Sequence, residues 1–239
     1  MAKPDAIKAD DMGSVLGLLV HDFRNPAATI TANADFLEEV GLVDTDANEA
    51  LQDVKLAVGE LRRGLDMLAW ISRWFTGHVP LEAANGDAGV FLERLERVDT
   101  PVPVTVEVAQ GDQLYAQGAQ VAVDVVDVLL HNTLANVPDP RATVRVYQQG
   151  GRVVIEVQDA GEALAPELRD IAFTLEGQHA LKGRLDGRYS RFVGLFAASV
   201  ALDGVGGAIE ADGERGAAIF RVFLRGARPT HRPPRPPSL

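Results

Sequence analysis

The chain has no cysteine in its 239 residues, which excludes disulfides, thiolate nucleophiles and cysteine metal sites together. Its five histidines are scattered, with no paired ligand spacing such as H-E-x-x-H, and this argues against a metal held by side chains alone. No run of about 18 uninterrupted apolar residues occurs, and the first fourteen residues are polar, so neither a membrane span nor a secretory pattern is read. A cytoplasmic protein is expected. Positive charge is scarce, with 23 basic against 34 acidic residues and a net charge of −11. Nucleic acid and anionic membrane are therefore disfavoured as main partners, since both require a basic face. The segment from Arg225 to Leu239 is the exception, with four arginines and no acid. Its run R-P-T-H-R-P-P-R-P-P-S-L is too rich in proline for a helix interior or a packed core, and reads as a disordered spacer or a polyproline docking motif.

What the chain does have is apolar periodicity. Apolar residues make up 46% of the sequence, enough to bury a proper core. Leu16, Val20, Phe23, Ala27, Ile30, Ala34 and Leu37 follow one another at alternating spacings of four and three, a heptad seam on one helix face. The rhythm returns in Ala47, Leu51, Val54, Val58, Leu61, Leu65 and Leu68, with Ser72 as a polar interruption before Phe75. Between them, Gly41 to Asp46 is rich in turn and capping residues. Two antiparallel helices are expected. One hairpin cannot cover its own seam, so pairing with a second copy into a dimeric four-helix bundle is the economical solution.

Gly77, Pro80, Asn85 and Gly86 then break the pattern and mark a domain boundary. The expected division is an N-terminal tail over 1–9, a helical domain over 10–78, a second domain over 79–226 and a disordered tail over 227–239. In the second domain Val102 to Val108 reads as a strand, Ala119 to Leu134 as an apolar helix, and Thr143 to Tyr147 with Val153 to Gln158 as a hairpin around Gly150-Gly151. Pro166 to Phe173 reads as a short helix and Phe192 to Leu202 as a long apolar one. Ala208 to Ala211 with Ala217 to Leu224 reads as a closing hairpin around Gly213 and Gly216. Helices separated by strand pairs predict one sheet with helices on one face, and the fold class is α+β. Beyond the heptads no internal repeat is seen.

The string H-D-F-R-N-P begins at His21, one place beyond Val20, which puts the histidine at the edge of the seam. Pro26 lacks an amide hydrogen and presses on the carbonyl of Asp22, so the helix should bend or loosen beside it. Asp22 can accept a hydrogen bond from one ring nitrogen and so raise the nucleophilicity of the other, as attack on phosphorus requires. A helix-surface histidine with an incidental proline is the alternative reading.

The run L-L-V-H-D-F-R-N-P-A-A-T-I on the first helix of a hairpin resembles the H-box of the dimerisation and histidine-phosphotransfer domain of sensor histidine kinases. The resemblance implies that His21 is the phosphoacceptor, Asp22 its adjacent acid and Pro26 the helix-bending proline. It also implies that Asn25 positions water for dephosphorylating a response regulator. The layout after Gly77 is similar to that family's ATP-binding sandwich. V-V-D-V-L-L-H-N-T-L-A-N resembles the N-box, which implies that Asn132 is the magnesium ligand. Asp127 stands where asparagine is common, and a helix-surface amide is the other reading of Asn132. V-I-E-V-Q-D-A-G-E-A resembles the G1 box, which implies that Asp159 binds the adenine amino group and Gly161 allows close approach, while Ala163 replaces a second glycine. A plain turn would also explain Asp159 and Gly161. S-R-F-V-G-L resembles the G2 box, of which Gly194 remains. Lys182, Arg184, Arg188 and Arg191 precede that helix, either as phosphate contacts in place of missing glycines or as solvated loop charges.

Nearly the whole chain, Ser14 to Leu224, is covered by this resemblance. It implies a cytosolic homodimer that uses ATP and Mg2+ to phosphorylate His21 and passes the group to a response regulator receiver domain. Little chain precedes the first helix, so a stimulus is expected to arrive through a partner, such as an upstream sensor protein, or through the second domain. The alternative is an ATP-independent histidine phosphotransferase or pseudokinase with an eroded nucleotide site, acting as a relay or docking module. A silent dimerising scaffold is opposed by His21, Asp22 and Pro26 together.

Overall fold

A computed structural model describes residues 9–41, 45–77, 85–89, 100–109, 114–182, 193–214 and 216–227. Two long helices come first, α1 over Ala9–Val40 and α2 over Thr45–Phe75. Gly41, in the left-handed region at φ 74°, ends α1 as a helix C-terminus favours. Pro26 lies inside α1, which is helical throughout its span. Alternate seam residues meet between the two helices, with Val20, Ala27 and Ala34 of α1 and Leu51, Val58 and Leu65 of α2 all buried. The intervening heptad residues Phe23, Ile30, Leu37, Val54 and Leu61 are exposed. Arg24 pairs with Asp66 at 2.5 Å, and Lys55 with Asp35 at 3.0 Å and with Glu38, across the same hairpin.

The rest of the chain builds a five-stranded sheet of order β2-β4-β5-β7-β6. Its strands are β2 Val104–Val108, β4 Ala142–Gln149, β5 Arg152–Asp159, β6 Ala208–Glu214 and β7 Ala217–Arg225. Only β2 and β4 pair in parallel. Both glycines of the Gly150-Gly151 turn have positive φ, the conformation a tight hairpin demands. A separate pair, β1 Asn85–Asp87 and β3 Tyr115–Gln117, was not foreseen, because Asn85 and Gly86 read as breakers. The helices are α3 Ala119–Asn136, α4 Pro166–Arg169, α5 Leu175–Lys182 and α6 Gly194–Asp203.

Period-2 alternation sorts the sheet into two faces. On one, Val144, Val146, Val153, Ile155, Val157, Phe220, Val222 and Leu224 are buried in a core completed by Val125, Val126, Leu129 and Leu130 of α3 and Leu195, Ala198 and Leu202 of α6. On the other face, acids and bases alternate across all five strands. Glu107 pairs with Arg145 at 2.8 Å, Arg145 with Glu156 at 3.1 Å, Glu156 with Arg221 at 2.8 Å, and Arg221 with Asp212 at 2.8 Å. Arg169 of α4 closes the row on Asp212 at 3.0 Å.

The expected helix over Pro166 to Phe173 is shorter than the sequence indicated. It stops at Arg169, and turns carry the chain into α5. The Ile171 carbonyl lies 1.8 Å from where a Cβ on Gly177 would stand, so only glycine permits this crossing. The expected strand from Val102 begins at Val104, since Pro101 and Pro103 have no N–H to give to a ladder. Among the described residues no helix is long and apolar enough to cross a membrane.

Candidate functional site

His21, Asp22 and Asn25 lie in the middle of α1. The side chains of His21 and Asp22 are outside the described set, so their environment is given by their neighbours. Val20 packs against Leu65 and Ala69 of α2, whereas Phe23, Arg24, Asn25 and Pro26 are exposed. The helix thus passes from its buried stripe to its open face around His21.

The second group centres on Asp159, the last residue of β5, which is 9% exposed. The amide of Gly161 donates to its Oδ1 at 2.7 Å, and the Thr133 hydroxyl donates to Oδ2 at 2.6 Å. Charge-directed donors to both oxygens fix the carboxylate plane, while each oxygen keeps a lone pair for a further donor. Thr133 was missed in the sequence reading, although it is the residue after Asn132 and any polar residue at that register of an apolar helix would face β5.

Asn132 is 8% exposed, and its Nδ2 is buried with no hydrogen-bond partner among the described residues. Its backbone carbonyl accepts from Asn136 Nδ2 at 2.7 Å. One turn earlier, Asp127 is occupied by His131, whose Nδ1 lies 3.3 Å from Asp127 Oδ2 and 2.9 Å from its carbonyl. Gly194 opens α6, preceded by Val193 in the left-handed region at φ 53° with no side-chain cap on the helix. A Cβ on Gly194 would stand 3.3 Å from Val128 Cγ1 of α3 and 3.7 Å from both Sδ and Cε of Met67 of α2. Arg191, with Arg184, Arg188 and Phe192, lies outside the described residues, and Lys182 ends α5 with its side chain undescribed.

Asp159 and Gly161 are thus in direct contact, and Asn132 joins them through Thr133. Gly194 meets the same helix one turn away, at Val128. His21 belongs to a different layer. Between the layers runs a cleft of about 540 Å³, with Arg24, Arg63 and Asp66 on the hairpin side and Asp124 and Asp127 on α3. A smaller cavity of about 270 Å³ between α2 and α3 is lined by Met67, His131, Asn132 and Leu134. Among the described residues no cluster of three or more histidine or acidic side chains could hold a metal. The unpartnered atom of Asn132 is its Nδ2, a donor; a cation would instead take the side-chain Oδ1 as one hard ligand, with the others from phosphates and water.

No family model and no curated protein matches the sequence. Solved structures do match. ShkA full-length in complex with AMPPNP aligns over 90% of this chain with a TM-score of 0.64 and 19% identity. The chain spans 46% of the length of that structure. Acinetobacter baumannii histidine kinase AdeS aligns over 87% of this chain and 98% of its own length, with a TM-score of 0.54 and 13% identity.

Proposed function

We propose that this chain, which has the fold of a sensor histidine kinase core, is a cytosolic protein-histidine kinase that phosphorylates His21 from Mg-ATP and hands the group to a receiver-domain aspartate. The observation that carries the reading is the braced Asp159. A buried carboxylate held on both oxygens, with lone pairs to spare, is suited to accept from an exocyclic amine such as that of adenine.

In this reading residues 10–78 form the dimerisation and phosphotransfer unit and 79–226 the nucleotide-binding unit. Asp159 and Gly161 hold the base, Gly194 at the start of α6 takes the phosphates, and Arg191 supplies them a positive charge. Magnesium, when bound, neutralises phosphate charge, with Asn132 as its protein ligand. A ring nitrogen of His21 attacks the γ-phosphorus. The N–P bond forms as the bond to the β–γ bridging oxygen breaks, and ADP departs. Asp22 accepts the proton of the other ring nitrogen and keeps the attacking nitrogen basic. Asn25, exposed one turn away, positions water for hydrolysis on the partner regulator. The exposed heptad row supports a homodimer, and an upstream sensor protein would reach the chain through the hairpin.

A second reading, an ATP-independent phosphotransferase, is favoured by Ala163 at a glycine place and by Met67 against Gly194. Incubation with γ-labelled ATP and magnesium separates the two. A kinase gives acid-labile label that is absent from His21→Ala and Asn132→Ala. Label that reaches His21 only from a phosphorylated receiver domain establishes the phosphotransferase.

A further inference from the structure

The loop from Ala160 to Ala165 joins Asp159 to α4 and carries Gly161, whose amide braces the carboxylate. Such a brace selects one ligand donor well only if the loop already keeps a single geometry, because ordering it on binding costs affinity. At its start the loop is fixed by β5. There the buried Glu156 is gripped by arginines from both neighbouring strands, Arg145 at 3.1 Å and Arg221 at 2.8 Å.

At its other end one side chain holds the loop. Arg169 of α4 donates from Nε to the Leu164 carbonyl at 3.1 Å, from Nη1 to Asp212 Oδ1 at 3.0 Å and from Nη2 to the Gly213 carbonyl at 2.5 Å. A planar guanidinium offers its donors at fixed angles, so three acceptors on two segments fix those segments relative to each other. Gly213 admits no side chain in this arrangement, with φ 107° and an added Cβ only 2.1 Å from the Ala217 carbonyl oxygen. The second oxygen of Asp212 is held by Arg221 at 2.8 Å, and Arg221 also grips Glu156. The charges therefore run from β5 through Arg221, Asp212 and Arg169 to Leu164, and the loop itself returns to β5 at Asp159.

We propose that Arg169 is the positioning residue of the Asp159 site, closing this circuit so that the loop carrying Gly161 is preformed for its ligand. The proposal rests on the reading that Asp159 accepts from the adenine amine, and it names the residue that keeps that site in shape. Arg169 acts through the loop and not on the ligand. The ion-pair row on the open face is its anchor, since Asp212 is oriented from the far side by Arg221.

Hydrogen exchange of the full chain, read by mass spectrometry on the peptide spanning 160–165, tests the clamp, and titration calorimetry with Mg-AMPPNP tests its consequence. Arg169→Ala removes all three donors. Arg169→Lys keeps the charge beside Asp212 but lacks the fork. Glu107→Gln breaks the far end of the row, on β2, where it pairs with Arg145. The expected result for Arg169→Ala is loop exchange at least about tenfold faster, with β5 and β7 unchanged, and Mg-AMPPNP bound about tenfold more weakly. Arg169→Lys should follow the alanine variant, and Glu107→Gln should stay at the wild-type values. Loop exchange that does not rise in Arg169→Ala overturns the clamp, as does a rise spread evenly over β5 and β7, which marks general destabilisation. Lysine at the wild-type values overturns the part given to the fork. Faster loop exchange with unaltered affinity overturns the positioning role and leaves the nucleotide site standing. Faster loop exchange in a protein whose every form, wild type included, binds no Mg-AMPPNP overturns the nucleotide reading and the positioning role with it.

Discussion

The hairpin and the sheet treat apolar residues in opposite ways. Val125, Val126, Val144, Val153, Ile155 and Leu195 have no exposed surface, whereas Phe23, Phe36, Val40 and Leu56 are more than half exposed. A sheet with helices on one face closes a core within one chain. Two helices can seal only the strip where they touch, and here that strip takes every second seam residue. The other half of the seam is an apolar row left open. One part of this chain buries its apolar residues within itself and the other leaves half of its seam open, so the two should respond differently to the same kind of substitution.

The largest contrast is expected in the core. Leu130→Ala, at a side chain with no exposed surface, should lose about 2–5 kcal/mol in urea unfolding. Ile30→Ala, on the open seam, should lose far less per chain when measured at concentrations where only monomer is present. Equal losses would remove the distinction.

Next in size is association. Phe23→Glu combined with Ile30→Glu should weaken self-association at least about a hundredfold by sedimentation, since a charge at a dry seam is desolvated without a partner. A variant that sediments as the wild type would show that this row is not the interface.

The open face of the sheet sharpens the comparison further, because it solves its exposure with charge in place of a partner. Arg221→Ala removes one of the two arginines on Glu156 and the main partner of Asp212, and should cost about 1–3 kcal/mol with no change in oligomeric state. The smallest effect is that of acid. The Arg221 hydrogen bond, then the Gly213 amide, holds the Asp212 carboxyl below its ordinary value. A carboxylate with a lowered value adds stability above its unfolded value and loses it as pH falls through the folded one. Unfolding midpoints should therefore drop below about pH 4, and the drop should be shallower in Arg221→Ala.

The heptads made the two helices legible because each turn repeats one decision, apolar or polar, many times. They did not reveal that Val20 and Ala27 face inward while Phe23 and Ile30 face out, since the period is the same for both rows. Gly150-Gly151 announced its hairpin through backbone demand alone. The three-residue strands β1 and β3 are too short to show alternation, and the eight-residue α5 was not read at all; its Gly177 is needed for the close approach to the Ile171 carbonyl, which no local pattern encodes. At the candidate site, Asp159 and Gly161 were singled out by the resemblance to the G1 box, and the structure puts the two in contact. Thr133 and Met67 were not, because what they touch depends on β5 and α6 lying across the helices that carry them, and no local pattern encodes that.

The most direct measurement is mass-spectrometric mapping of the phosphoryl group, at neutral pH, on full-length protein incubated with Mg-ATP alone. A kinase core that feeds its own histidine carries the group on the peptide containing His21 and nowhere else, and loses it when Asp159→Asn removes the carboxylate proposed to hold adenine. A peptide that stays unmodified with ATP but gains the group from a phosphorylated receiver domain would contradict it.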